Sequence, residues 1–550
     1  MIKKHVLINA VEHKGRADPK AVLGKVISEN KELRSKIPEI LREIEEIVKE
    51  INSLDLEDQK KLLREIYPEY FQKRKTKRIK ELPDLPHSGE VITRLPPEPN
   101  GYIHIGHGLS FFFNWYYARK YNGKVILRFD DTNPSKEKKE YYDSIKEDIK
   151  WLGIDWDIEK KESENVERYY FYAKELIKRE KAYVCECDEE KIHRDRFEMR
   201  ECRCRERGTE ENLKLFELLK KGEIRGVLRL KGDMRSRNTA MRDPTLFRIN
   251  LDPHPIVGNK YKLWPLYDFA CAIEDAEVTH VLRDNEFHFR IEVQNYIREC
   301  LGLKQPFVRE YSRFSVRGTP TAKRKIRPLI EKNIVKGWDD VRLVTIRGLK
   351  RRGILPQTVH ELGREIGLST AEPVIDWSII ESINRKLLDP IAKRFFFVGN
   401  PKELIVENAP EKIIKLRMHP TEDLGERTLR VGKKFFIPDI KEKEIRLKDL
   451  FNVRIIEYGE KIIGEYIDTT LKNIKKIQWV PEEHCNVEIV IPDVLFIGEQ
   501  LNNESLKTVS GVAERNIESL NVGEIIQFER FGFCRLDEKN DVYRFIFTHR

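Results

Sequence analysis

Long hydrophobic runs are missing from this 550-residue sequence. No segment approaches the roughly 18 consecutive apolar residues of a membrane-spanning helix. The opening MIKKHVLINAVEHKG returns to charged residues too soon for a secretory leader. Internal repeats and low-complexity tracts are also missing, which excludes a repeat architecture. We therefore expect a cytoplasmic protein with no membrane partner.

Cysteine is scarce, with eight residues in the whole chain. In a reducing cytoplasm we expect cysteines to be metal ligands or core thiols rather than disulfides. Four of them form two Cys-x-Cys pairs on either side of a charged segment, and four thiolates can bind Zn²⁺ tetrahedrally. The spacing is tighter than the common Cys-x-x-Cys, so free surface thiols stay the alternative to zinc. The pairs are Cys185 with Cys187 and Cys202 with Cys204.

Charge is plentiful but uneven, with 103 Lys and Arg against 93 Asp and Glu, a net charge of +10. Residues 309–352 alone hold 14 basic and 4 acidic residues, an excess equal to the net charge of the chain. A local basic face of this kind suits a polyanion such as nucleic acid. A solvated helix surface is the alternative.

The order of patterns along the chain predicts several domains. Apolar residues at helical spacing from Ile37 indicate a helical start, which ends at the basic linker QKRKTKRIKELPDLPHSG. The stretches EVITRL and KVILRFDD, each followed by a helical pattern, predict a parallel sheet. Residues 320–390 read as helical, and the short alternating strands beyond them predict antiparallel barrels.

The stretch RLPPEPNGYIHIGHG, residues 94–108, follows the first predicted strand and precedes a helix. A strand, a tight turn and a helix start often hold a phosphate or nucleotide. His104 and His107 are suited to donate hydrogen bonds to phosphate oxygens, and Gly106 would let an adenine ring lie against the backbone. The alternative is a pair of histidines that only cap the helix.

These residues spell HIGH, and the stretch resembles the first signature of class I aminoacyl-tRNA synthetases. PTAKRK at 320–325 resembles the second signature, KMSKS, with Ala322 in place of serine. LRFDDTNP, MRDPTLFRI, LWPLYDFACAIED, THVLRDNEF and GWDDVRL resemble the glutamyl and glutaminyl subfamily in order and spacing. The helical start is similar to the extension of archaeal glutamyl-tRNA synthetases.

The resemblance implies a multidomain α/β fold, with a class I Rossmann-type catalytic domain, an acceptor-binding insertion, a helical linker domain and C-terminal antiparallel β-barrels. It divides the chain into a helical extension (1–87), the first catalytic half (88–163), the acceptor-stem insertion (164–264), the second catalytic half (265–318), the KMSKS-type loop with a stem-contact helical region (319–390) and anticodon-binding barrels (391–550).

The resemblance also implies the chemistry, which is ATP-dependent ligation of an amino acid to tRNA with Mg²⁺ on the phosphates. Such enzymes typically need bound tRNA before they activate the amino acid. It implies catalytic roles for His104, His107 and Lys323, and ATP contacts from Pro97, Gly106, Arg324 and Lys325. The amino-acid pocket would comprise Arg94, Asp130, Tyr267 and Arg283.

Arg283 favours L-glutamate over glutamine, because a guanidinium pairs with a carboxylate through two charge-assisted hydrogen bonds. Glutaminyl enzymes carry a small uncharged residue there, and an acid where this chain has Phe289. The alternative for Arg283 is a surface pair with Asp284 or Glu286. We predict glutamate–tRNA ligase activity on tRNA-Glu. Charging of tRNA-Gln, with an amidotransferase downstream, stays open.

Two other functions compete with this prediction. One is a glutaminyl-tRNA synthetase, and the other is a decayed paralogue that binds RNA without chemistry, for which Ala322 is the only support. The resemblance further suggests that the basic GLKRRG segment, residues 348–353, is a long helix that follows the tRNA backbone.

Overall fold

The computed structural model describes residues 2–13, 15–29, 37–67 and 81–550. Residues 72–80, half of the predicted basic linker, lie outside these ranges. The chain forms two compact units, Met1–Glu81 and Leu82–Arg550. None of the helices in the described ranges combines the length and apolar character that a bilayer crossing requires.

The first unit is helical, as the spacing of its apolar residues predicts. Its helix Ile37–Ser53 buries Ile40, Ile44, Val48 and Ile51 on one face, because residues three and four apart share a face. These side chains join a core from the other helices. The described helices are Ile2–Glu12, Pro19–Glu29, Ile37–Ser53 and Leu56–Ile66.

The second unit begins with a parallel sheet, which confirms the predicted α/β class. Three strands, Ile92–Leu95, Lys124–Phe129 and Ile158–Lys161, pair in parallel. His280–Asp284 pairs in parallel with Phe307–Tyr311, and a 3.0 Å hydrogen bond from Thr279 N to Ile92 O joins the two groups. The associated helices are Ile105–Lys120, Lys139–Trp151, Tyr267–Glu274 and His288–Leu301.

An inserted region, which shares its core with the helices Tyr267–Glu274 and His288–Leu301, separates the two groups of parallel strands. Its antiparallel sheet packs aromatic side chains, including Tyr170, Phe247 and Trp264, against its helices. Burial on this scale makes the insertion a rigid platform rather than a loop. Its strands are Ala182–Cys185, Val227–Leu230, Thr245–Ile249 and Leu263–Pro265, and its helices are Val166–Lys178, Glu189–Phe197 and Thr209–Lys221.

In the helical region that follows, two arginines form ion pairs with other parts of the protein. The GLKRRG segment lies in a helix of seven residues, Ile346–Arg352, so the prediction of a long helix is wrong. Gly353 ends it in the left-handed conformation. Arg351 pairs with Asp537, and Arg352 pairs with Glu381. The other helices are Lys323–Glu331, Pro356–Ile366 and Trp377–Leu388, and Ser315–Val316 pairs with Val374–Ile375.

Two curled seven-stranded sheets form the C-terminal part of the chain. Most neighbouring strands are antiparallel, as predicted, but each sheet also contains two parallel pairs. In order, one sheet is Lys475–Ile477, Glu444–Leu447, Asn452–Glu457, Lys461–Tyr466, Lys402–Glu407, Lys434–Ile437 and Val480–Pro481. The other is Arg394–Phe395, Ile525–Phe528, Gly532–Lys539, Val542–His549, His484–Pro492, Leu506–Glu514 and Phe397–Gly399. Lys412–Arg417 pairs with Glu426–Val431, and Phe496–Ile497 pairs with Gln500–Leu501.

Candidate active site

A cavity of about 610 Å³ opens at the carboxyl ends of the parallel strands. Ligands of doubly wound sheets bind at these strand ends, because the loops that follow the strands meet there. The structure brings seven of the predicted site residues to its wall: Arg94, His104, Gly106, His107, Asp130, Tyr267 and Arg283. Four predicted residues are not part of this wall: Pro97, Lys323, Arg324 and Lys325.

The two histidines of the HIGH sequence cap the helix Ile105–Lys120. Nδ1 of His104 accepts a hydrogen bond from Gly106 N at 3.0 Å, and Nδ1 of His107 accepts from His104 N at 3.3 Å. A neutral imidazole that accepts at Nδ1 carries its hydrogen on Nε2. Capping and phosphate binding are therefore compatible, since each ring keeps one Nε2–H donor for a ligand.

Both imidazoles are half-buried in the cavity wall and neutral at physiological pH. Burial lowers the pKa of His104 to about 3, and the nearby Lys323 and Arg313 cations add to the effect. Burial also holds the pKa of His107 well below its usual value. A neutral ring donates one hydrogen bond and adds no charge of its own.

Gly106 is required by its neighbour in the motif. A Cβ on this residue would lie 2.6 Å from Cε1 of His104, so the ring covers the space that a side chain would fill. Because Gly106 also faces the cavity, the backbone there can be approached closely by a ligand.

Lys323 begins the helix Lys323–Glu331, and its Nζ donates a hydrogen bond to Oδ1 of Asn100. Burial lowers the pKa of the Lys323 ammonium to about 8. Arg324 and Lys325 are exposed on the first turn of this helix. Ala322 occupies the N-cap and offers no side-chain oxygen to the helix.

A buried acid that the motifs do not reveal organises the pocket floor. Asp275 accepts hydrogen bonds from Nε of Arg94 at 3.1 Å and from Nη1 of Arg128 at 2.8 Å. Burial acts to raise the pKa of Asp275, but the two arginines outweigh it and keep the pKa well below its usual value. Arg128 also pairs with Asp130 at 2.7 Å. An arginine inside the apolar strand KVILRF is the one sequence signal for this network.

Arg283 is a buried cation without an acidic partner among the described residues. Its Nη1 donates to Oε1 of Gln294 at 2.9 Å, and its Nη2 donates to the Tyr267 hydroxyl. Its Nε is buried with no hydrogen-bond partner in that part of the chain. The surface pair with Asp284 or Glu286 is not formed, because the guanidinium lies over the Phe287 ring at 4.8 Å and faces the cavity.

Burial acts to lower the pKa of Arg283, but the groups around it, Tyr267 foremost, raise it above its usual value. The guanidinium is therefore charged at any pH the protein meets. A buried charge that lacks a counter-ion is costly. A ligand carboxylate in the cavity would supply both the missing negative charge and the missing acceptor.

The two Cys-x-Cys pairs meet in the inserted region, at the end of the strand Ala182–Cys185. Their four sulfur atoms lie within 4.8 Å of one another, with Cys185 and Cys202 3.8 Å apart. Sulfurs around tetrahedral zinc are about 3.8 Å apart, given Zn–S bonds of about 2.3 Å. Of the other cysteines, Cys271, Cys485 and Cys534 are buried, as predicted for core thiols, whereas Cys300 is half-buried.

Comparison with known proteins covers almost the whole chain. Residues 90–390 match the family model described as "tRNA synthetases class I (E and Q), catalytic domain". Residues 392–471 and 476–537 match two models described as the anti-codon binding domain of the same group.

Full-length relatives lie in archaea. The glutamate–tRNA ligase of Pyrococcus furiosus is 42% identical, over 100% of this chain and 99% of its own length. That of Nitrosopumilus maritimus is 41% identical over the same shares. That of Methanocaldococcus jannaschii is 38% identical over 99% of this chain and 98% of its own.

Proposed function

The chain belongs to the class I tRNA synthetases for glutamate and glutamine, and we infer from this membership that it is a glutamate–tRNA ligase. The α-carboxylate of glutamate would attack the α-phosphorus of ATP, forming glutamyl-adenylate and releasing pyrophosphate. A ribose hydroxyl at the tRNA 3′ end would then take the glutamyl group and release AMP. No protein nucleophile is needed, so the protein positions reactants and stabilises charge.

The single observation that carries glutamate selectivity is the unpaired buried charge of Arg283. A side-chain carboxylate of the substrate would accept two hydrogen bonds from the guanidinium and balance its charge. A glutamine amide offers only one acceptor to the Arg283 guanidinium, and its NH₂ group would face the guanidinium N–H donors. It also carries no negative charge to balance the buried cation. This difference favours the glutamyl activity over the glutaminyl alternative.

Arg94, Asp130 and Tyr267 would complete the amino-acid pocket. Two of the three Arg94 nitrogens already donate, one to Asp275 and one to the Leu282 carbonyl. We therefore assign Arg94 a role in charge balance on the pocket floor as much as in ligand contact. Asp130 is suited to the substrate ammonium, and the Tyr267 hydroxyl orients Arg283.

His104 and His107 would bind the phosphates of ATP from one side. Their Nε2–H groups are suited to donate to oxygens on the α- and β-phosphates as negative charge builds there. Lys323 would release Asn100 and approach the pyrophosphate from the opposite side, with Arg324 and Lys325 adding positive charge. Pro97 holds Asp130 through a 3.1 Å hydrogen bond from Asp130 N to its carbonyl, and Gly106 leaves room for the nucleotide.

Two metal ions are part of the proposal. Mg²⁺ would neutralise the phosphates of ATP, and Glu98, an exposed carboxylate of the cavity wall, is one protein ligand available to it. Zn²⁺ fits the four sulfurs of Cys185, Cys187, Cys202 and Cys204 in separation and donor type. It would hold the charged segment between the pairs in place and take no part in the reaction.

The tRNA partner follows from the two anticodon-binding matches. We assign residues 391–550 to the anticodon, 164–264 to the acceptor stem and 319–390 to the stem between them. We extend the substrate range to tRNA-Gln as a second acceptor, whose product an amidotransferase would correct. Charging of unmodified tRNA-Glu and tRNA-Gln transcripts side by side tests this extension.

Pyrophosphate exchange into ATP tests the function directly, with glutamate or glutamine, each with and without tRNA. We expect exchange with glutamate only, and only when tRNA is present. Exchange with glutamine would move the assignment to the glutaminyl enzyme. If no condition gives exchange while tRNA still binds, the protein is an inactive RNA-binding paralogue and Ala322 marks the loss.

A further inference from the structure

A seven-residue loop, 131–137, follows the strand that ends at the amino-acid pocket and is attached to the inserted sheet at three points. Nη2 of Arg248 donates to Oδ1 of Asn133 at 3.2 Å, and Nδ2 of Asn250 donates to Oγ of Ser135 at 2.8 Å. The third attachment is His254, and it is the only one of the three that is fully buried. The loop begins one residue after Asp130.

His254 has both ring nitrogens engaged. Its Nδ1 accepts from the backbone nitrogens of Ile256 and Val257, at 3.1 and 3.3 Å. The ring hydrogen is therefore on Nε2, which donates to the Asp131 carbonyl at 3.0 Å. The same Nε2 lies 2.8 Å from Oε2 of Glu137, at the far end of the loop. One side chain thus donates its hydrogen bond to the first residue of the loop and lies in close polar contact with the last.

The groups that His254 contacts are held in turn. The Asp131 carboxylate accepts from the Tyr142 hydroxyl and from the backbone nitrogen and hydroxyl of Ser163, at 2.7 to 2.8 Å. Oε1 of Glu137 accepts from Asn133 N at 2.7 Å, which closes the loop on itself. A buried polar network with defined partners fixes a single loop conformation.

The His254 ring also packs against the segment that precedes Tyr267. It stacks on Trp264 with ring centroids 5.1 Å apart and planes 25° from parallel. Trp264 lies in the strand Leu263–Pro265, which leads into the helix that begins at Tyr267. Asp130 and Tyr267 come from segments 137 positions apart in sequence. His254 contacts both the loop that follows Asp130 and the strand that precedes Tyr267.

We propose that His254 is a positioning residue for amino-acid binding, which joins loop 131–137 to the inserted sheet and thereby sets the spacing between Asp130 and Tyr267. This inference rests on the proposed glutamate-activating function. It also gives the inserted region a physical route to the amino-acid pocket, since a shift of the sheet would move the loop through the same contacts.

The diagnostic variant is His254→Asn. Its amide oxygen reaches the position of Nδ1 and keeps the local turn, but the side chain is too short to contact Asp131 or Glu137. We expect the KM for glutamate to rise by roughly tenfold with kcat within about twofold, because binding geometry is lost and phosphate chemistry is not. His254→Gln carries an amide nitrogen to the position of Nε2, and we expect it to restore most of the affinity.

His419→Asn is the matched control. His419 is equally buried, and its Nδ1 also accepts two backbone nitrogens, those of Thr421 and Glu422, but it lies in the connection between the C-terminal strands Lys412–Arg417 and Glu426–Val431. We expect an unchanged KM for glutamate. If His254→Asn and His419→Asn raise the KM for glutamate equally, the cause is general destabilisation, and the proposal is overturned. A wild-type KM in His254→Asn would also overturn it.

Glu137→Gln tests the same contact without shrinking a side chain, and it decides the matter if His254→Asn does not fold. Whichever way the amide turns, an NH₂ group meets either His254 Nε2–H or Asn133 N–H. We expect a several-fold rise in KM for glutamate, and an unchanged KM would overturn the proposal. If the wild-type protein itself does not activate glutamate, the proposed function fails instead, so the two failures are distinct.

Discussion

At the scale of single residues, the site depends on three buried arginines, of which two share one buried acid and the third has none in hydrogen-bond contact within the described part of the chain. Asp275 satisfies Arg94 and Arg128, and Arg283 has no acidic partner in the described ranges. A buried cation without a partner is normally avoided, because desolvation of a charge is costly unless it is paired. Its presence in a cavity wall makes Arg283 the natural contact for a substrate carboxylate.

We therefore expect the replacement of Arg283 to change amino-acid selectivity. We expect Arg283→Cys to lower kcat/KM for glutamate by about 10²-fold or more, since hydrogen bonds to charged groups contribute about 1.5–3 kcal/mol each. Preference should shift toward glutamine, measured as the ratio of the two kcat/KM values. Arg290→Cys is the control, because Arg290 lies on the same wall but already pairs with Asp268. An unaltered ratio in Arg283→Cys would refute its role.

We expect Lys323 to make the reaction sensitive to alkaline pH. Burial lowers its pKa to about 8, so the ammonium that would stabilise pyrophosphate is lost as the pH rises through 8. We expect the rate of pyrophosphate exchange to fall above that pH. Lys323→Arg should remove this alkaline limb, because a guanidinium stays charged. The same alkaline limb in wild type and variant would assign it to another group.

The lowered pKa has the opposite effect on stability. Between the folded value near 8 and the ordinary value for lysine, the unfolded chain binds more protons at this site than the folded protein does. Stability therefore rises with pH across that interval as the cost of burying the charge is relieved. Activity and stability should diverge above pH 8, which thermal melts at several pH values can check.

Ala322 is a second residue with a local consequence. It occupies the N-cap of the helix that starts at Lys323, where serine would accept a hydrogen bond from a backbone N–H. We expect Ala322→Ser to stabilise this helix by about 1 kcal/mol and to raise the exchange rate. Hydrogen exchange of the Arg324 and Lys325 amides, at the second and third helical positions, reports the first effect. A loss of protection there would contradict it.

At the scale of elements, the Cys-x-Cys pairs bring two short segments together. The strand that ends at Cys185 and the turn at Cys202 are 17 residues apart in sequence but meet through their sulfurs. Arg229 lies 3.8 Å from the Cys202 sulfur and would partly balance the negative charge of four thiolates. The charged segment between the pairs has no comparable apolar core of its own.

Metal content tests this element. We expect one Zn²⁺ per chain by elemental analysis, and Cys202→Ser should lose the metal and lower the melting temperature. Cys300→Ser, which removes a half-buried thiol outside the cluster, should keep both. Full stability of a metal-free protein after chelation would argue for plain thiols.

At the scale of the whole molecule, arginine side chains connect the helical region to the C-terminal sheets. The short helix Ile346–Arg352 reaches the C-terminal sheet that contains Gly532–Lys539 through Arg351 and Asp537. Arg342 reaches the same part of the chain through Ser505, at 3.0 Å. Both arginines come from the basic stretch 309–352, whose charge is therefore partly structural and only partly free for nucleic acid.

A buried pair joins the two-stranded sheet of Lys412–Arg417 and Glu426–Val431 to the seven-stranded sheet that contains Leu506–Glu514. Arg427 contacts Glu514 at 3.1 Å, both side chains are almost fully buried, and Glu514 also accepts from Phe396 N at 2.8 Å. We expect Arg427→Met to destabilise this part by about 3–5 kcal/mol, because it leaves a buried carboxylate without its cation. Calorimetry should show the C-terminal transition moving to lower temperature. An unmoved transition would mean that Glu514 is neutral in the folded protein.

The sequence by itself determined the parts that depend on local chemistry. The element order, the HIGH helix start and the cysteine pairs follow from spacing and residue type, which act within a few positions. The candidate glutamate contact Arg283 also came from a single motif. Family membership could be inferred from the order of those motifs alone.

Only the tertiary structure decided how the charges are compensated. Asp275 lies far from Arg94 and Arg128 in sequence, and no local pattern links them. The same holds for His254 with loop 131–137, and for the basic helix whose arginines meet Asp537 and Glu381. A buried charge needs a partner at hydrogen-bond distance, and which residue supplies it depends on how distant segments pack, not on their neighbours in the chain.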